Sequence, residues 1–252
     1  MSSEAPTAVV ITATVGKETL RRSVESVLNQ SFANVCSLVV VDGPRFVAES
    51  QRAIGDLAGS DRVQVLALPQ NTGSGGFVCH RIYGALPLLV NQDFVFYLDD
   101  DNWYDSGHVA DLVELCVRED LQWAYGLRKI LNEDGSLLCN DDCESLGRWP
   151  VWYNKNIHHV DTNCYCLRRE VAIELASRWH RSRIVDQMVQ PSADTEVCGY
   201  LLSRYDRCGV VGKHSVNYVL GSWGLSPKPE FFLHGNQVMC QRYGGSLPWR
   251  VV

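Results

Sequence analysis

The sequence predicts an α/β fold with a mainly parallel central sheet flanked by helices. Three observations carry that expectation. Short apolar runs rich in β-branched residues alternate with helix-length segments. The runs are apolar on both faces, as strands are when helices cover both sides of a sheet. Polar groups stand at the ends of several runs, the edge where open α/β sheets bind ligands.

Residues 8–13, AVVITA, read as the first buried strand. From Lys17 to Gln30, Leu20, Val24, Val27 and Leu28 share one helical face. SLVVV at 37–41 is a second strand, closed by the turn signal Asp42-Gly43-Pro44. A helix is expected over 46–58, a strand over 63–68 (VQVLAL), a glycine-rich turn at 71–76 and a helix over 77–90. FVFYL at 94–98 is the fourth strand and runs into Asp99, Asp100 and Asp101. The second half is less regular. It predicts a helix over 105–118, a strand over 121–126 and a loop-rich stretch over 132–160. A strand over 160–167 and a helix over 169–179 follow. Ser192 reads as the N-cap of a helix running to Tyr205, with Val197, Leu201 and Tyr205 on one face. The C-terminal 45 residues are expected to wrap the domain. With no repeat or linker, residues 1–252 read as one domain.

Composition narrows the function classes. The 252 residues are 46% hydrophobic and 21% charged, enough for a sizeable core in a soluble protein. A net charge of −6 and a pI near 5.6 argue against a nucleic-acid surface. No apolar run approaches the roughly 20 residues that cross a bilayer. The N-terminus has no basic start and carries Glu4 and Pro6, unlike a signal peptide. A cytoplasmic protein is expected, with peripheral membrane association and homo-oligomerisation left open. Ten cysteines then read as reduced thiols. Cys36, Cys79, Cys116, Cys198, Cys208 and Cys240 fit apolar patterns. Cys139 and Cys143 with Cys164 and Cys166 raise a zinc site, but C-x3-C followed by C-x-C matches the usual paired spacings poorly.

The run of three aspartates needs positive compensation, because adjacent carboxylates repel and resist burial. Alternation in an extended segment puts Asp99 and Asp101 on one side and Asp100 on the other. Two carboxylates on one side suit Mg²⁺ or Mn²⁺, which takes one or two carboxylates and shares its shell with substrate phosphates. His214, in VVGKHSVNY, is a candidate third ligand, with His234 as its rival; a lone histidine is more often structural.

Several stretches together resemble family 2 glycosyltransferases of the GT-A fold, a Rossmann-like sandwich. VVITATVGKETLRRSVESVLNQSFANVCSLVVVDG resembles that family's first βαβ unit, GSGGFVCHRIYGAL its "G-x-x-x-A-R-N-x-G" stretch, and LDDDN its D-x-D motif. ADTEVCGYLL at 193–202 resembles its "E-D-x-E-L" helix start. The likeness spans roughly residues 8–205. The chain departs from the pattern at the first strand, which lacks Pro-x-x-N, at Ile82 and at Ala193. The resemblance implies a nucleotide-binding half, 1–104, and an acceptor-binding half, 105–252. It implies that Asp42 contacts the nucleobase, Arg81 lies near the nucleotide, Asp99 faces the uridine and ribose, and Asp101 holds the metal. Thr12, Thr14 and Asp100 complete the donor set. Asp194 is the implied catalytic base, with Glu196 its alternative. The implied reaction is inverting transfer from a nucleotide-sugar, UDP-linked, to an acceptor hydroxyl.

Other readings stand beside these. Asp194 in a first helical turn is favoured by the helix dipole without any function. Asp42 can serve only its turn. Trp149, Trp152 and Tyr153 can be an acceptor platform or core material. A sugar nucleotidyltransferase would want a glycine-rich basic loop after the first strand, which TVGKETLRR fits poorly. A nucleotide-sugar-binding protein without turnover is the non-enzyme alternative. The acceptor itself, whether glycan, lipid-linked sugar, protein or small molecule, is not written in the sequence.

Overall fold

A computed structural model describes residues 5–185, 188–190 and 192–221, together with 226–250. Glu4 lies outside the described residues. The first half runs β1 (Ala8–Thr14), α1 (Leu20–Leu28), β2 (Val35–Val41), α2 (Val47–Ile54), β3 (Val63–Ala67), α3 (His80–Ala85) and β4 (Phe94–Tyr97). There follow β5 (Trp103–Tyr104), α4 (His108–Arg118), β6 (Trp123–Leu131), β7 (Leu137–Asn140) and β8 (Tyr165–Arg168). The chain continues with α5 (Arg169–Glu174), α6 (Ala176–Trp179), a hairpin of β9 (Arg183–Val185) and β10 (Met188–Gln190), and α7 (Ala193–Arg204). It ends on β11 (Gly209–Val219) and α8 (Pro229–Arg242).

One nine-stranded sheet runs through both halves in the order β3-β2-β1-β4-β8-β6-β11-β5, with β7 beside β6. β3, β2, β1 and β4 are parallel, as the alternation predicts. Beyond β4 the sheet is mixed: β8 runs antiparallel between β4 and β6, and β5 runs antiparallel to β11. The α/β class and the GT-A-type layering hold.

Strand periodicity explains how both faces fill. On β2, Val39 joins Leu20, Val24, Ile54 and Val63 in a small core under α1 and α2. Its neighbours Leu38 and Val40 point the other way, into the large core with Tyr83, Tyr97 and Trp179. Gln30 at the end of α1 ties that helix to the second half: its amide donates to the Asp105 carbonyl at 2.8 Å and accepts from Val109 N at 2.9 Å.

Some expected elements come out differently. The helices over 46–58 and 77–90 are shorter, the first stopped at Gly55 with φ +57°. The helix over 169–179 divides at Leu175. The C-terminal segment is more than a wrap, because β11 is an interior strand of the sheet. The helix α8 does cover the aromatic stretch. Trp152 packs on Phe231 and His234, and Trp149 on Trp249, with ring centroids 5.1–5.7 Å apart. Trp149 and Trp152 pack, partly buried, against the core and hold the C-terminal segment down, while Tyr153 of the same cluster is exposed. The four clustered cysteines do not converge: Cys166 lies 4.0 Å from Cys116, Cys164 beside Ser145, and Cys143 beside Asp141.

Candidate active site

The aspartate run answers to a turn rather than an extended strand. β4 stops at Tyr97, and Asn102 N donates back to the Asp99 carbonyl at 3.2 Å. The alternation expected across these residues is therefore overturned: Asp100 and Asp101 converge, and Asp99 points elsewhere. Asp99 accepts from the Tyr83 hydroxyl at 2.9 Å and from Asn163 Nδ2 at 2.9 Å. Burial, with Asp101 and Asp161 nearby, pushes its carboxyl up to about 7.

The positive charge that compensates the run is Lys17. Its Nζ lies 2.6 Å from Asp101 Oδ2 and 3.1 Å from Asp100 Oδ1. These contacts hold the ammonium above its ordinary value although its burial works against it. The loop after β1 delivers it. Thr14 Oγ1 donates to Asp100 at 2.7 Å and accepts from Gly16 N at 2.9 Å. Gly16 turns the chain with φ +85°, where a Cβ would stand 2.6 Å from that of Glu49. Arg22 then pins the far side of the turn by donating to the Asp101 carbonyl at 3.2 Å while lying over Trp103.

Asp42 stands one residue beyond β2, with its backbone N bonded to the Thr14 carbonyl. Its carboxylate accepts from Thr72 N at 2.6 Å, Thr72 Oγ1 at 2.8 Å and Gly73 N at 2.9 Å. It thus anchors the glycine-rich loop. Gly73 is required there, since a Cβ would meet the Val78 carbonyl oxygen at 2.3 Å and Asp42 at 2.9 Å. Val78 itself takes φ +52°, an outlier for a β-branched residue.

The second half supplies another group of residues. Asp194 stands in the first turn of α7 and accepts from Thr162 Oγ1 at 2.6 Å, with His159 Nε2 3.8 Å away. Burial would raise its carboxyl, but His159, Thr162 and His80 hold it down to about 2. Ser192 stands at the helix start and makes no side-chain cap bond among the described residues. Asp161 accepts from Asn163 N and Nδ2 at 2.9 and 2.8 Å, and Arg128 donates to Asp161. The same buried guanidinium reaches Asp141 at 2.8 Å and Glu144 at 2.6 Å. Through Asn163, this network joins Asp99.

Part of this set lines one cavity of about 440 Å³, the size of a small-molecule site. Thr14, Asp42, Asp99, Asp100 and Asp101 reach it from the first half, and Asp194 from the second. Three expected site residues are not brought into it. Thr12 is fully buried within the sheet, its hydroxyl without a hydrogen-bond partner among the described residues. Arg81 stacks 3.3 Å over the Phe77 ring and donates to the Thr72 carbonyl; His80 lines the cavity instead. His214 does not join Asp101. It faces Asp142 at 3.4 Å, beside Trp249 and Arg250, which also bond that carboxylate. Lys17, Asp161 and Thr162 are cavity residues the sequence reading passed over. VDTN at 160–163 held a signal for the last two, since three consecutive polar residues sit badly in a buried strand.

The family model for "Glycosyl transferase family 2" matches residues 8–174, and the chain belongs to that family. No curated protein matches it. Among solved structures, S. aureus TarS 1–349 in complex with UDP is similar, at 13% identity over 93% of this chain and 64% of that one, with TM-score 0.58. The same protein in complex with UDP-GlcNAc gives 12% identity over 94% and 66%, with TM-score 0.63. A further S. aureus TarS structure gives 14% identity, 94% of this chain, 39% of that one and TM-score 0.56. The chain thus spans less than two thirds of the length of the first of these, and the likeness is one of fold.

Proposed function

We propose that this chain is an inverting glycosyltransferase that moves a sugar from a UDP-linked donor to an acceptor hydroxyl. The observation that carries the reading is one cavity with two kinds of carboxylate. A loop-borne aspartate pair holds a lysine, and a separate aspartate heads a helix of the second half. The family supports sugar transfer, and the UDP and UDP-GlcNAc bound by the similar TarS structures favour a uridine donor.

Transfer with inversion needs a base on one side of the sugar and stabilisation of the departing diphosphate on the other. Asp194 is assigned the base. Thr162 and His159 orient its carboxylate and keep it ionised, at a cost in basicity. A divalent ion, Mn²⁺ or Mg²⁺, suits Asp101 and Asp100, which offer hard oxygen donors at the cavity wall. Among the described residues no group of three His, Cys, Asp or Glu forms a metal cage. Such an ion takes one or two carboxylates and completes its shell with phosphate and water. When bound, such an ion supplies Lewis-acid stabilisation of the leaving diphosphate. Asp42, through its hold on Thr72 and Gly73, shapes the wall against which the nucleoside would lie.

The test is titration of UDP, GDP and dTDP by calorimetry with and without Mn²⁺, followed by donor turnover with an acceptor panel. Asp101→Ala is expected to remove the metal-dependent part of UDP binding. Asp194→Asn is expected to leave UDP binding within a few-fold and lower turnover by roughly 10²–10⁴. Binding of none of the three nucleotides would refute the reading. UDP binding without consumption of any UDP-sugar would turn it toward a nucleotide-sugar-binding protein.

A further inference from the structure

The pairing of Lys17 with the aspartate turn carries a step that rests on the donor reading and goes beyond it. Asp100 and Asp101 are 5% and 7% exposed, so both need a permanent cation whether or not a metal is present. Lys17 is that cation. An ammonium has three N–H donors. Two meet Asp101 at 2.6 Å and Asp100 at 3.1 Å, and the side chain is still 37% exposed along the cavity wall. The turn at Gly16 fixes where the stem begins, and Thr14 fixes Asp100 beneath it. The rest of the wall is rich in carboxylate: Asp42, Asp99, Asp161 and Asp194. A diphosphate entering so acidic a cavity needs every cation there.

We propose that Lys17 is a diphosphate-binding residue, a protein-borne cation that shares Asp100 and Asp101 with any divalent ion and gives nucleotide binding a metal-independent part. Its spare N–H donates to a phosphate oxygen while the two aspartates hold the ammonium in place. The same geometry makes Lys17 and a divalent ion competitors for the carboxylates, so removing the lysine should tighten the ion.

The experiment is calorimetric titration of UDP into the full chain in EDTA and in Mn²⁺, for wild type, Lys17→Met and Lys17→Arg. Wild type is expected to bind UDP measurably in EDTA. Lys17→Met should weaken that binding by about 10- to 100-fold, the worth of one charge-assisted hydrogen bond, and Lys17→Arg should restore most of it. In a separate titration with Mn²⁺ alone, Lys17→Met should bind the ion several-fold more tightly. Circular dichroism identifies an unfolded Lys17→Met, in which case Lys17→Met with Asp101→Asn, which removes one of the two carboxylate charges left without their cation, is titrated against Asp101→Asn alone and the same loss is expected. Equal UDP affinity of wild type and Lys17→Met in EDTA overturns the proposal. So does UDP binding by wild type in Mn²⁺ with none in EDTA, although the donor reading then stands. No binding of UDP, GDP or dTDP under either condition overturns both.

Discussion

At the scale of single residues, the site is a set of aspartates held in different states by different neighbours. Asp99 is raised by burial and like charge, while Asp194 is lowered by His159 and Thr162. His159 answers in kind. Burial lowers it, but Asp194 and Glu144 outweigh that and the charge of Arg128, and hold it above 6.5. A histidine raised by folding stabilises fully below its unfolded value and loses that contribution as pH climbs through its folded value. An aspartate lowered by folding stabilises above its unfolded value, 3.8, and loses it as pH falls through about 2. The pair therefore contributes most between about pH 4 and 6.5. Thermal melts of wild type and His159→Gln from pH 5 to 9 should differ by roughly 2–4 °C at the acid end, about 1 kcal/mol. The two curves should converge as the histidine deprotonates. A constant gap across that range would show packing rather than charge. Lys17 marks the limit of reading such residues from sequence. Loop residues carry no period, and its partner Asp101 is 84 positions away.

At the scale of elements, the legible parts were those with a period. The first strand, helix and second strand follow from β-branched runs and a helical stripe, and Asp42 from its turn. β11 was not legible, because Gly212, Lys213 and His214 interrupt its pattern. The structure absorbs them in register shifts between Val210 and His214 and between His214 and Val216. The loop after β1 is the element on which the site depends most, and it turns on one glycine. Gly16→Ala must place a Cβ 2.6 Å from that of Glu49, which belongs to α2 and cannot swing away, at a φ that L-residues rarely adopt. A loss of about 1–3 kcal/mol in urea denaturation is expected. Stability equal to wild type would mean that the turn relaxes freely and does not fix Lys17.

At the scale of the whole molecule, one buried guanidinium connects the parts. Arg128 on β6 holds Asp141, Glu144 and Asp161, and Asp161 reaches Asp99 at the end of β4 through Asn163. Arg128→Met leaves three carboxylates without their cation and should cost about 3–5 kcal/mol in chemical denaturation. Arg128→Lys should recover little of it, because a point charge cannot meet three acceptors in the plane of a fork. Full stability in either variant would show the network to be dispensable.

The placement of β8 between β4 and β6 has a kinetic consequence. The strands that complete the sheet come from far along the chain, and Asn217 bonds Asp105 across 112 positions. The four parallel strands can pair early, while the seam at β8 must wait for the remaining segments to find it. The cavity spans that seam, so ligand-binding competence should be the last property to appear during refolding, after most of the helical signal has already returned.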